Sequence, residues 1–147
     1  MKVIKVIFVK YFEDDRTKLE FNPKGNWVDL YTACEVYMKK GDYFQIPLGV
    51  AMQLPPRHEA IVAPRSSTFK RWGLLMTNSI GVIDSSYCGD HDEWKFPALA
   101  TKDIYIPKGT RIAQFRVFAS QDAFEEIRLV EVQELKNKDR GGFGTTG

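Results

Sequence analysis

An all-β fold of short strands is what this sequence predicts, on three observations. Runs rich in β-branched and aromatic residues recur along the 147 residues. Turn signals interrupt them at close spacing. No long stretch repeats with the 3.6-residue period of a helix. Together these features indicate a sandwich or barrel closed over one core.

Taken in order, strands are expected over residues 3–12, 43–48, 58–63, 74–78, 82–87, 103–106, 111–118 and 127–132. Asn22-Pro23-Lys24-Gly25, Lys40-Gly41-Asp42, Pro55-Pro56 and Pro107-Lys108-Gly109 supply turns between them. One short helix is expected from about Ser66-Ser67-Thr68 to about Trp72, with a serine capping its free amides and Gly73 ending it. After Leu135 the composition turns polar and then glycine-rich. Residues 1–135 therefore read as one β-barrel domain and residues 136–147 as a flexible arm.

The bulk properties bound the function. A 147-residue chain with 44% hydrophobic and 27% charged residues suits one soluble domain. A net charge of +2 gives no general affinity for nucleic acid or acidic membranes, so any anion site must be local. Cys34 and Cys88 read as free thiols of a reducing compartment, and the lysine-interrupted start is neither a signal peptide nor a membrane span. The expected location is the cytoplasm. His58 and His91 stand alone, without the ligand spacing of a zinc site.

Five segments carry chemistry. The end of the chain, Arg140-Gly141-Gly142-Phe143-Gly144-Thr145-Thr146-Gly147, cannot form a core. It can wrap an anion: glycine amides approach oxygens, Thr145 and Thr146 donate, and Arg140 offers a planar fork to phosphate. Alone, it reads first as a frayed terminus, the usual fate of a glycine-rich end. Pro64-Arg65-Ser66-Ser67 opens the expected helix, where free amides and hydroxyls favour an anion, although plain capping explains it too. Gly109-Thr110-Arg111-Ile112-Ala113-Gln114 enters a strand, with Gln114 otherwise an outward polar residue. Val28-Asp29-Leu30-Tyr31 holds an aspartate that in isolation is a turn or cap residue. The fifth segment is Asn78-Ser79-Ile80-Gly81-Val82-Ile83-Asp84-Ser85-Ser86-Tyr87-Cys88-Gly89. Its strand, bracketed by Gly81 and Gly89, reads as part of a β-hairpin, and open backbone groups at a hairpin's mouth can pair with a pyrimidine edge.

In this order, the five segments resemble the five motifs of the trimeric dUTP pyrophosphatase (dUTPase) family, over about residues 25–147. The resemblance implies a distorted jelly-roll barrel and hydrolysis of dUTP to dUMP and pyrophosphate. It implies Asp84 as the catalytic carboxylate that activates water. Asn78, Gly81, Ile83, Tyr87 and Phe143 would bind uracil and deoxyribose, with Tyr87 excluding a 2′-hydroxyl and Phe143 stacking on the base. Arg65, Ser66, Ser67, Gln114, Arg140, Gly144, Thr145 and Thr146 would bind phosphates. Asp29 would hold Mg²⁺ through a bound water, and the partners would be dUTP and two further copies sharing each active site. Arg111 is expected to be structural, pairing with a carboxylate near the subunit junction.

The chain departs from the family in Asn26-Trp27-Val28, where small residues are usual, and in Ser67, where glycine is frequent. It departs again in Asp90-His91-Asp92-Glu93-Trp94, read as a solvated acidic loop of unassigned role. Two rival functions remain at this stage. A dCTP deaminase of the same fold would use a glutamate to hydrolyse the amino group. A nucleotide-responsive regulatory protein would keep the pocket without the chemistry.

Overall fold

The computed structural model of the chain describes residues 1–8, 19, 21, 23–121 and 127–141. In these the order is β1 (Lys5–Phe8), β2 (Val28–Tyr31), β3 (Val36–Met38), β4 (Tyr43–Pro47), β5 (Val50–Gln53), β6 (His58–Pro64) and α1 (Thr68–Trp72). There follow β7 (Leu74–Met76), β8 (Gly81–Ile83), β9 (Lys95–Ala100), β10 (Ile104–Ile106) and β11 (Arg111–Ala119). The strands form a four-stranded sheet β2-β11-β6-β8, a three-stranded sheet β4-β9-β7, and the pairs β1-β5 and β10-β3. Every ladder is antiparallel. The architecture is a distorted jelly roll of short strands with one short helix, as expected.

Alternation of side chains across each strand builds the core. Val28 and Leu30 of β2, Ala60 and Val62 of β6, and Phe96, Ala98 and Ala100 of β9 all point inward. In β11 the neighbours Ile112 and Ala113 are both buried, which strict alternation forbids. The register shift between Arg111 and Ala113 explains this, because a bulge turns two successive residues to one face. Trp94, fully buried, meets Phe115 edge-on at 5.2 Å. Burying one side chain such as Phe96 or Leu30 contributes about 1.5–3 kcal/mol.

Several sequence expectations need correction. Strands β2, β3, β5 and β9 were not predicted: they are short or carry residues of weak β preference, such as Asp29 in β2, Ala51 in β5, and Lys95 and Pro97 in β9, and burial between neighbouring strands decides their conformation. Pro97 sits in the central strand of its sheet, where a missing N–H is normally excluded. It is tolerated because the β7 ladder stops at Ala98, one residue short of it. Residues 127–132, expected as a strand, form none and are exposed: a run of β-branched and aliphatic residues needs a partner ladder to become a strand. The strand expected over 82–87 ends at Ile83 and gives way to a turn. Part of the strand expected over 3–12 lies outside the described residues.

The helix falls where expected, and Gly73 ends it with φ +64, a left-handed conformation that side chains resist. Its start differs. Ser67, at the cap position, has helical dihedrals and makes no capping bond. Thr68 does the work instead: its buried Oγ1 accepts from the Arg65 N–H at 3.0 Å and donates to the Ile112 carbonyl at 2.6 Å. The helix start is thereby fastened to β11, and the serines are left out of the cap.

Candidate active site

One cluster forms at an end of the four-stranded sheet. Gln114 of β11 lies between Asp29 of β2 and Ala63 of β6, and Arg65 follows directly on β6. Arg65 Nε donates to Asp29 Oδ1 at 3.0 Å, and Arg111 reaches Asp29 Oδ2 at 3.5 Å. The Arg65 bond is the stronger of the two, since both its side chains are largely shielded while that of Arg111 is half exposed. Gln114 Nε2 donates to the Pro64 carbonyl at 3.1 Å. Residues taken from three separate motifs are thus one hydrogen-bonded group. Arg111 pairs with a carboxylate, as expected, and that carboxylate is Asp29. Ser66 is exposed and Ser67 half-buried beside Arg65, at the mouth of α1.

A second cluster follows β8. Asp84 is exposed, and its Oδ1 accepts from the Ser86 N–H at 2.8 Å and from the Ser86 hydroxyl at 2.7 Å. These bonds, the backbone one foremost, hold the carboxyl below its ordinary value and keep it ionised, with Oδ2 left for another partner. Ser86 was not singled out in the sequence, though Asp-x-Ser spacing is itself a turn signal. The Tyr87 N–H donates to the Asp84 carbonyl at 3.0 Å and closes the turn. The Tyr87 hydroxyl donates to the Glu93 carbonyl at 2.9 Å. Burial, then the charges of Asp92 and Glu93, push this phenol up, so it remains a donor.

The expected hairpin is not formed within the described residues. β8 pairs with β6, through Gly81–Val62 and Ile83–Ala60, and no strand pairs with its other edge among the described residues. An edge strand leaves the N–H and C=O of alternate residues turned away from the sheet. The Ile83 side chain is in the core. Asn78 is exposed in the turn before β8. The acidic loop is not simply solvated: Asp92 and Glu93 are half-buried and Trp94 is fully buried.

Arg140 is exposed on a segment without regular structure. Phe143, Gly144, Thr145 and Thr146 lie outside the described residues. Cys34 and Cys88 are free thiols. Among the described residues, no three His, Cys, Asp or Glu side chains form a metal-binding group. No helix there is long and apolar enough to cross a membrane.

The register also separates the two clusters. Ile83 faces Ala60, so Asp84 leaves the sheet near Glu59, while Arg65 lies beyond the opposite end of β6. At roughly 3.3 Å per residue that is on the order of 20 Å.

The dUTPase family model matches residues 26–147. The SPbeta prophage-derived deoxyuridine 5'-triphosphate nucleotidohydrolase YosS of Bacillus subtilis (strain 168) is 49% identical over 141 residues, covering 96% of this chain and 97% of that protein. The Staphylococcus bacteriophage 80alpha dUTPase, solved with dUPNHPP, superposes with a TM-score of 0.70 at 18% identity, covering 99% of this chain and 98% of that one. A mutant dUTPase from phage phi11 of S. aureus, described with a structural Mg(II) ion, gives 0.69 at 14% identity, covering 92% and 99%.

Proposed function

The chain belongs to the dUTPase family, and we propose that it hydrolyses dUTP to dUMP and pyrophosphate, in the cytoplasm, at sites shared between the subunits of a homotrimer. The observation that carries the chemistry is Asp84, an exposed carboxylate kept ionised and oriented by Ser86 beside the free edge of β8. Its open oxygen takes a proton from water as the water oxygen bonds to the α-phosphorus. The bond from that phosphorus to the bridging oxygen breaks, and pyrophosphate leaves.

Uracil presents acceptor, donor and acceptor along one edge, which the alternating backbone groups of β8 match. Cytosine puts a donor where an acceptor is required and leaves a mismatch costing about 1–3 kcal/mol. Tyr87 packs on the deoxyribose. Arg65, Ser66, Ser67 and Gln114 hold phosphates, and the arm brings Arg140, Phe143, Gly144, Thr145 and Thr146 over them, excluding bulk water.

The separation of Asp84 from Arg65 supports a shared site. Both must act on one triphosphate, and the length of β6 keeps them apart within a single chain. Mg²⁺ fits in a limited way. With no cage of acidic ligands among the described residues, the donor set suits an ion that keeps its waters and takes most ligands from phosphates. Asp29, its charge engaged by Arg65 and Arg111, retains lone pairs to accept from a metal-bound water. Held there through Asp29, such an ion would supply neutralisation of charge on the phosphate oxygens.

The test is nucleotide specificity, with pyrophosphate and ammonia measured separately for dUTP, dCTP and UTP. Pyrophosphate from dUTP alone is expected. Ammonia from dCTP would establish the deaminase, and binding without release of either product would establish the regulatory protein.

A further inference from the structure

The segment after Tyr87 is built as a clasp. The Gly89 N–H donates to Asp92 Oδ2 at 2.8 Å, and the Asp92 N–H donates to the Gly89 carbonyl at 3.1 Å. The carboxylate occupies space that only glycine leaves: a Cβ on Gly89 would lie 2.9 Å from Asp92 Oδ2. One residue on, the Glu93 carbonyl receives the Tyr87 hydroxyl at 2.9 Å. The far end is held by the core. Trp94 is fully buried, its backbone N–H donates to the Val50 carbonyl at 2.8 Å, and its carbonyl accepts from the Leu48 N–H at 3.0 Å.

We propose that Asp92 is a positioning residue for Tyr87, and that the clasp from Gly89 to Trp94 fixes the tyrosine ring and thereby sets the preference for a deoxyribonucleotide over a ribonucleotide. The proposal rests on the dUTP reading above. Tyr87 is 39% exposed on a turn, where an untethered aromatic side chain moves between rotamers. Rejecting a single added hydroxyl requires a wall that does not yield, because a small displacement of a positioning group is already costly. The connection runs from the core through Trp94 to the Glu93 carbonyl and on to the phenol. Asp92 keeps that carbonyl in reach by closing the intervening turn on Gly89. The Asp92 charge is used locally, by the Gly89 amide.

The experiment compares the full-length wild type with Asp92→Ala, Asp92→Asn and Tyr87→Phe. The ratio of kcat/KM for dUTP over UTP is read by pyrophosphate release, with Tm measured alongside. In Asp92→Ala the ratio is expected to fall about tenfold, a fraction of the 10–200-fold that one small group commands in a close-fitting site. Asp92→Asn, which keeps an acceptor oxygen, is expected to restore most of it. Tyr87→Phe, lacking only the hydroxyl, is expected to shift the ratio in the same direction as Asp92→Ala. A folded Asp92→Ala with an unchanged ratio overturns the proposal. So does an equal loss for both substrates, which marks general disorder instead of positioning. If Asp92→Ala does not fold, an unchanged ratio in Tyr87→Phe overturns it and a lowered one supports it. A wild type that hydrolyses neither nucleotide overturns the dUTP reading itself, whereas a dUTP-specific wild type with an insensitive Asp92→Ala overturns the positioning role alone.

Discussion

Replacing Thr68 by valine keeps the volume of a buried side chain and exchanges one hydroxyl for a methyl. Two backbone groups then lose the hydroxyl as a partner: the Arg65 N–H, bonded to it at 3.0 Å, and the Ile112 carbonyl, bonded to it at 2.6 Å. An unsatisfied buried group costs about 1–3 kcal/mol, so the upper bound for both is about 6 kcal/mol. The structure lowers that figure. The Arg65 N–H also lies 3.4 Å from the Ile112 carbonyl, so the two orphaned groups can turn to each other in a long bond. Recovering part of the loss brings the expected cost to about 2–3 kcal/mol. Urea unfolding at fixed protein concentration measures it, because an oligomer's apparent stability varies with concentration. The same bonds place Arg65 against β11, so kcat/KM for dUTP is expected to fall with stability. A Thr68→Val protein within about 0.5 kcal/mol of wild type would show that the hydroxyl is no brace, and the account of how Arg65 is positioned would fail with it.

Other expectations follow from the same geometry. Asp84→Asn removes the base and should lower turnover by about 10²–10⁴ while dUTP still binds, as isothermal calorimetry and pyrophosphate release can establish. In Ser86→Ala the carboxyl loses a bond that lowers its pKa. The active form is ionised, present above the folded pKa and lost as pH falls through it, so the acid limb of the kcat/KM profile should move to higher pH. An unmoved limb would separate Ser86 from the base. Co-expressing Arg65→Ala with Asp84→Asn, each inactive alone, should restore activity at about a quarter of the sites in randomly mixed trimers. No restoration would place both groups on one subunit's site. Deleting residues 140–147 should leave Tm near wild type, since a glycine-rich segment offers little apolar surface to a core, yet remove most turnover.

The sequence by itself determined the family and the β class. Asp84, Tyr87, Arg65 and Gln114 stood out as site candidates because they fall, in order, in segments that resemble the family's motifs. Strands β6 and β11 were legible because runs of β-branched and aromatic residues favour a pleated, half-buried surface. What only the tertiary structure decided depends on neighbours distant in the chain. Residues 127–132 carry the β-branched and aliphatic side chains of a strand and form none, while β9, with a proline in it, becomes the centre of a sheet. Thr68 displaced the serines as the brace of the helix because Ile112, 44 residues away, offered its hydroxyl a carbonyl. Asp29, Arg65 and Arg111 became one ion-paired group only when β2, β11 and β6 lay side by side. The acidic loop gained a structural reason when Trp94 entered the core and presented the Glu93 carbonyl to Tyr87. Residue type fixes which bonds a side chain is able to make. Which of them it makes is settled by burial and by the partners that packing brings within about 3 Å, and those are properties of the folded chain.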